Sequence, residues 1–529
     1  MSGNLLRQAG IALLFISSSV NAADWLTFAH DPQRSGWAAE EDTLSPQNVG
    51  GLELKWKTQV KNQSKALAAL TAPLIATDIA TAQGIKTLVY VAGSSNNLHA
   101  LDAETGTVVW TTEFRTYVSP VRPDQWLCPN NLNATPVIDK RAGIIYAITM
   151  DGKLIGCDLG TGKTRFGPVQ FVPAFSKNWS LNLVDGIVYT SLSQGCGGGA
   201  SGLYSMDVRE PFRPMTRHLL INTGGGGGIW GRGGPVIGSD GRVYGATGDG
   251  RWDPAQGYYG SSIIAASLGD LRIVDFYTPR NWKDVNDYDW DISCTSPVWF
   301  ANQNYQLVAV GGKEGVIYLL DAASLGSKDH HTPLFITPRL ANDEDTFEGK
   351  GIWGALSAWT DLTGQAWVYT PIWGPISKKA PKFPITNGDA PHGCIMAFKV
   401  TLDAITKRPM LDPAWISGNF NVPDPPVIAN GLLFALSTGE NVQQTKEGGV
   451  IKWNKLTLLT NAEREGKTQR AKLYALDART GKALWDSAAL MDSWTHFSGL
   501  AVANGRVYAV DHNSQVYSFG LKEKEKENR

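Results

Sequence analysis

The chain has 529 residues, 43% of them hydrophobic, with 48 Lys+Arg against 49 Asp+Glu and a formal charge of −1. That balance excludes nucleic-acid binding through a charge stripe, and the hydrophobic content excludes an intrinsically disordered chain. The 57 Gly and 19 Trp, without any long helical periodicity, point to many short strands and tight turns, hence an all-β fold.

Residues 1–22 predict a secretory leader. Arg7 supplies the positive start, Ile11 to Val20 an apolar core too short to span a bilayer, and Val20-Asn21-Ala22 a small-x-small cleavage site. No later apolar run reaches spanning length, so the mature chain is expected in the periplasm or secreted, without a transmembrane segment. Five cysteines (Cys128, Cys157, Cys196, Cys294 and Cys394) then meet an oxidising compartment. Their odd number leaves at least one without an intrachain partner, and the pairing stays open. No C-x-x-C spacing occurs, which excludes covalent haem and a zinc ribbon.

Leu52-Glu53-Leu54-Lys55-Trp56-Lys57 reads as an orphan strand near the start. A repeat follows. Leu98-His99-Ala100-Leu101-Asp102-Ala103-Glu104-Thr105-Gly106, running on to Trp110, returns as Leu154 to Phe166 and again as Leu473 to Trp485. Each copy is a strand, an Asp-x-x-Thr-Gly turn, a second strand and a large aromatic. Asp can cap local N–H groups, Gly supplies positive φ, and the aromatic is large enough to pack between neighbouring sheets. Degenerate copies lie at Gly202 to Val208, Ser262 to Tyr277, Gly315 to Leu325 and Cys394 to Val400. The last copy, Gln515 to Gly520, lacks its outer strand, which the orphan strand can supply. Eight units of about 63 residues each give an eight-bladed β-propeller over residues 23–521, the last blade closed by strands from both termini. Residues 441–470 are expected as an exposed loop insertion and 522–529 as a charged, solvated tail.

Chemistry concentrates between residues 190 and 320. Trp230 follows the glycine run Gly224 to Gly228; it reads either as a stacking platform for a flat ligand or as one more inter-blade Trp. Gly245-Ala246-Thr247-Gly248-Asp249 ends in a hard-cation ligand or an ordinary turn Asp. In Asn286-Asp287-Tyr288-Asp289-Trp290-Asp291 three carboxylates alternate with aromatics, so an extended chain would point all three one way, where a cation or protons must offset their repulsion. Gly311-Gly312-Lys313-Glu314-Gly315 places a cation in a turn after a strand.

These repeats, with Ser45-Pro46-Gln47-Asn48-Val49-Gly50-Gly51-Leu52 and Trp56, resemble the quinoprotein alcohol dehydrogenases, eight-bladed propellers that hold pyrroloquinoline quinone (PQQ) on the axis. The resemblance implies Trp230 as the floor under PQQ, flanked by Gly228 and Gly231, and Lys313 at the reactive quinone carbonyl. It implies Asp289 as catalytic base, with Asp287 as the alternative. Asp249, Asp289 and Asp291 would hold Ca²⁺ or a lanthanide ion. The segment Asp289 to Pro297 is also similar to polyvinyl-alcohol dehydrogenases. Two departures stand out. The family's metal-binding Glu would fall at Gly197, and its adjacent Cys-Cys pair is absent, with only Cys128 nearby. Ile352-Trp353-Gly354, Trp359, Trp367 and Ile372-Trp373-Gly374 line either the axis or the blades. The expectation is a PQQ-dependent dehydrogenase of a small-molecule or polymeric alcohol, passing electrons to a separate acceptor such as a c-type cytochrome. The competing class is a non-catalytic propeller that scaffolds an envelope complex, since such a scaffold carries similar repeats.

Overall fold

A computed structural model describes residues 23–221, 228–449 and 456–523. The leader at 1–22, Gly224–Gly227 of the glycine run and the tail at 524–529 lie outside them. Eight of the sheets formed by the described residues, each built on antiparallel strands, are arranged around one axis as the blades of an eight-bladed β-propeller, with two small two-stranded sheets beside them. The innermost strands are Leu74–Thr81, Val137–Asp139, Asn182–Val184, Val236–Ile237, Val298–Asn302, Ser357–Thr360, Val427–Ala429 and Ala501–Ala503. Each packs against the innermost strand of the blade before and the blade after, so the ring is closed. The last blade completes it as expected: Leu52–Gln59 is its outer strand, paired antiparallel with Gln515–Leu521.

The repeat works as its chemistry predicts. Asp102 Oδ1 accepts the N–H groups of Glu104 and Thr105 at 2.9 and 3.2 Å, and Gly106 follows with φ of 72°. Asp158 and Asp477 cap their own turns in the same way. The aromatic then docks on the neighbouring blade's turn. Trp56 Nε1 donates to the Ala103 carbonyl at 2.9 Å, Trp110 Nε1 to Leu159 at 2.9 Å and Trp415 Nε1 to Ala478 at 3.0 Å. A Cβ on Gly162 would lie 2.6 Å from the Trp110 ring, so only glycine admits the indole. Trp485 closes the circle by donating to Leu52 in the final blade.

Residues 23–38 form a ribbon along the innermost strands. It exchanges backbone hydrogen bonds with Ile75, meets Ile138, Ile237, Trp299, Ala358 and Ile428 in turn, and is bonded by Asn504 at Ala23. At blade three Thr27 and the fully buried Arg34 both donate to the Leu181 carbonyl at 2.9 Å. All eight blades are therefore touched by one short stretch of chain.

Of the expected loop insertion, residues 441–449 and 456–470 are described; much of this stretch is exposed, but it is anchored inward at several points. Thr460 and Glu463 form a capping box on the helix Asn461–Glu465. Arg464 is 3% exposed, and buried Glu348 accepts the N–H groups of Gln444 and Thr445 at 2.7 and 2.9 Å. These contacts anchor the described part of the insertion, which satisfies part of its own backbone and the Glu348 carboxylate.

Candidate active site

Because neighbouring strands run antiparallel, the loops that enter the innermost strands and those that leave the second strands meet on one face. There they enclose an axial cavity of about 390 Å³. That volume suits a small-molecule site. Blade four contributes Trp230, before Val236–Ile237, and Asp249, after Arg242–Ala246. Blade five contributes Asp289 and Asp291, before Val298–Asn302, and Lys313, after Tyr305–Gly311.

The buried Lys313 ammonium lies 2.9 Å from Asp289 Oδ1 and 2.7 Å from Asp291 Oδ2. It also lies 5.4 Å from the centres of the Trp230 and Trp353 rings. Asp291 Oδ1 accepts the Asp249 N–H at 2.9 Å, and carboxylate oxygens of Asp249, Asp289 and Asp291 all fall within 4.8 Å of one another. Oxygens so spaced can reach a single ion at the 2.3–2.6 Å typical of roughly octahedral or larger Ca²⁺ shells. Burial, then the Asp291 charge, raises the Asp289 carboxyl well above its ordinary range, against the opposing pull of Lys313. Burial would also raise Asp291, but Lys313 together with hydrogen bonds to Asp289 and the Asp249 N–H outweighs it and holds that carboxyl low. For Lys313, burial is outweighed in turn by the two carboxylates, so the ammonium is held charged. The cluster thus carries more acid than its one ammonium neutralises.

Trp230, Asp249, Asp289, Asp291 and Lys313 are brought together as the sequence implied. Three others are not. Asp287 ends the short helix Trp282–Asp287, is exposed and stays outside the cavity. The alternation that placed it beside Asp289 holds only for extended backbone, and here the chain leaves a helix and passes through Asp289 at φ of 53°. Gly228 and Gly231 do not line the cavity either. A Cβ on Gly228 would meet Ser193 Cα at 2.8 Å and one on Gly231 the Ser296 N at 2.4 Å, so these glycines permit backbone packing between strands.

The remaining wall comes from further blades. Trp353 stacks on Trp373 at 4.9 Å and Trp373 on Phe497 at 5.4 Å, which makes the second half's tryptophans axial at these two positions. Trp359 and Trp367 lie in the blade core instead. Sequence reading missed the polar part of this wall. Arg464 pairs with Glu440 at 3.2 Å and lies over Trp126 at 4.8 Å, and His496 Nδ1 meets Glu440 at 2.8 Å. The Thr460-Asn461-Ala462-Glu463 capping pattern was the available signal for an ordered insertion. Cys128 is disulfide-bonded to Cys196, beside Gly197 where the Glu is missing, while Cys157, Cys294 and Cys394 are free and buried. Leu127 and Gly195, next to the bridged pair, line the cavity.

A family model described as the beta-propeller domain of glucose/ethanol/alcohol dehydrogenase (PQQ) matches residues 25–190, and one described as outer membrane protein assembly factor BamB matches residues 413–528. Among solved structures, a quinohemoprotein alcohol dehydrogenase from Pseudomonas putida HK5 superposes with a TM-score of 0.56 at 14% identity, over 96% of this chain and 82% of that one. The quinohemoprotein alcohol dehydrogenase from Comamonas testosteroni gives 0.57 at 15% identity, over 96% and 82%. A europium-containing methanol dehydrogenase gives 0.54 at 15% identity, over 94% and 98%. No curated protein matches in sequence. The resemblance to the quinoprotein alcohol dehydrogenases is borne out by these matches, and at such identities the superpositions establish the fold.

Proposed function

We propose that this dehydrogenase-type propeller is an exported, PQQ-dependent oxidoreductase of alcohols whose active site is the axial cavity. The observation that carries the reading is the convergence of Asp249, Asp289, Asp291 and Lys313 beside the Trp230 ring. These residues fit a cation beside a planar quinone. The donor set is hard oxygen with uncompensated negative charge, and an indole faces the same space. Asp249, Asp289 and Asp291 would hold Ca²⁺ or a lanthanide ion, and Trp230 and Lys313 the quinone. PQQ supplies a two-electron acceptor for the carbon-bound hydrogen of an alcohol.

The chain's own residues supply the rest. Asp289, with its carboxyl raised by burial, is the base for the hydroxyl proton, since a base nearer the working pH is the more effective one. Lys313 keeps Asp291 ionised and places positive charge where a reduced oxygen would need it. Trp353, Trp373 and Phe497 form an apolar wall that excludes water from the carbon being oxidised. No haem-attachment motif is encoded, so the electrons would pass to a separate acceptor such as a c-type cytochrome. The Cys128–Cys196 bridge supports an oxidising compartment, in keeping with the leader expected at 1–22.

The second reading, a scaffold, draws on the assembly-factor match at 413–528. A scaffold has no use for three clustered carboxylates on a buried lysine, which is why the enzyme is preferred. Protein mixed with PQQ and either Ca²⁺ or a lanthanide ion should retain a quinone absorption band through gel filtration, and Trp230→Ala should lose it. A wild type that retains no quinone with either metal overturns the reading.

A further inference from the structure

Among the described residues, every basic side chain of the cavity wall but one lies against a carboxylate. Lys313 lies on Asp289 and Asp291, and Arg464 and His496 share Glu440. Lys177, from the short strand Lys177–Asn178 of blade three, also lines the cavity. Its Nζ donates to the Leu127 carbonyl at 3.0 Å and lies 5.4 Å from the Trp179 ring centre. No carboxylate of the described residues comes within ion-pair distance of it. An ammonium has three donors, and this one uses a single acceptor.

Its surroundings add positive charge. Arg232 faces the same Trp179 ring at 6.0 Å and donates to the Phe497 carbonyl at 2.8 Å. Burial, then Arg232 and Arg464, depress Lys177 to about 7. Asp424, the acid acting on Arg232, is itself raised to about 7 by burial. Burying an ammonium among guanidiniums is unfavourable, and a bound anion would offset it.

We propose that Lys177 docks a carboxylate of the molecule held in the axial cavity, giving the site a second recognition point beside the Asp cluster. This rests on the quinone reading of the cavity. PQQ is a tricarboxylate, and a carboxylated alcohol would offer the same group; Lys177 receives one of the two. A carboxylate oxygen takes the ammonium donors that Leu127 leaves open, while the Trp179 face holds the stem in place.

The test titrates Ca²⁺-loaded full-length protein with PQQ and with its trimethyl ester, read by tryptophan fluorescence, in wild type, Lys177→Met and Lys177→Arg. Lys177→Met should weaken PQQ binding by roughly tenfold or more, Lys177→Arg should restore most of it, and the ester should bind wild type and Lys177→Met alike, which also reports an intact fold. An unchanged PQQ affinity in Lys177→Met, with KM raised about tenfold for a hydroxy acid but not for the uncharged alcohol of equal length, assigns the carboxylate to the substrate. PQQ affinity and both KM values unchanged in Lys177→Met overturn the proposal and leave the quinone reading standing. A wild type that binds no PQQ overturns both.

Discussion

Asp289 adopts a left-handed backbone, φ of 53°, which a residue other than glycine takes at a cost of about 1–2 kcal/mol. The turn ends the helix Trp282–Asp287 and swings Asp289 and Asp291 to the same ammonium. The two carboxylates can be separated by mutation. Asp289→Asn should lower turnover by about 10²–10⁴, because an amide accepts no proton at neutral pH, while quinone retention on Trp230 persists. Asp291→Ala should weaken metal binding, and more for a trivalent lanthanide than for Ca²⁺, since each lost carboxylate counts more against a higher charge. Steady-state rates and calorimetric metal titrations check both. Wild-type turnover and unchanged metal affinity in the two variants would reduce the cluster to structural packing. Trp230, Asp249, Asp289, Asp291 and Lys313 were legible because their short segments, each within one blade, resemble those of the quinoprotein alcohol dehydrogenases. Lys177, Glu440, Arg464 and His496 were not, because they come from three segments far apart in the chain and no local pattern announces them. Asp287 was misread for the opposite reason: a local pattern was present, but the alternation assumed a strand where Val285, the buried position of a helix turn, holds the segment to the core.

The blade is the element that the sequence writes most plainly. Its turn needs only Asp, Thr and Gly at fixed offsets, and its aromatic reaches the next blade's turn, so a short repeat carries both local structure and inter-blade packing. Trp110 shows the coupling: its ring fills the space that Gly162 leaves open, and its Nε1 satisfies the Leu159 carbonyl. Trp110→Ala should destabilise by about 2–4 kcal/mol, through a cavity between blades one and two and a carbonyl left without its donor. Thermal unfolding measures this, and an unchanged Tm would show that the indole is dispensable. The closing strand was legible as well, because an unpaired outer strand at one end of the chain matched a missing one at the other. The insertion at 441–470 was not. Its polar composition resembles a solvated loop, yet Glu348, remote in sequence, accepts its backbone N–H groups, and Glu440, just before it, holds Arg464 inward.

At the scale of the whole molecule the ribbon of residues 23–38 joins what the blades divide. His30 lies on it, with Nε2 3.2 Å from Glu40 Oε2 and the ring edge-on to Trp25 at 5.1 Å. Burial alone would depress the imidazole, but Asp31 and Glu40 outweigh it and raise it to about 9. A raised folded-state pKa means that the stabilisation is complete below the ordinary value near 6.5 and fades as pH rises through about 9. Between pH 6 and pH 9.5 the wild type should therefore lose more in Tm than His30→Gln, by on the order of 1–2 °C, a small figure because Glu40 is half-exposed. Equal losses would remove His30 from the account.

The same ribbon constrains how the molecule comes into being. Its docking groove runs from Ile75 to Asn504, so residues 23–38 are fully seated only once the final blade is in place. Until then the nascent ring is an arc with a free end. Arrays whose repeats touch only their neighbours can gain or lose units singly. Here the loss of any one blade strips a contact from a segment shared by the other seven, which turns a row of neighbours into a single cooperative body.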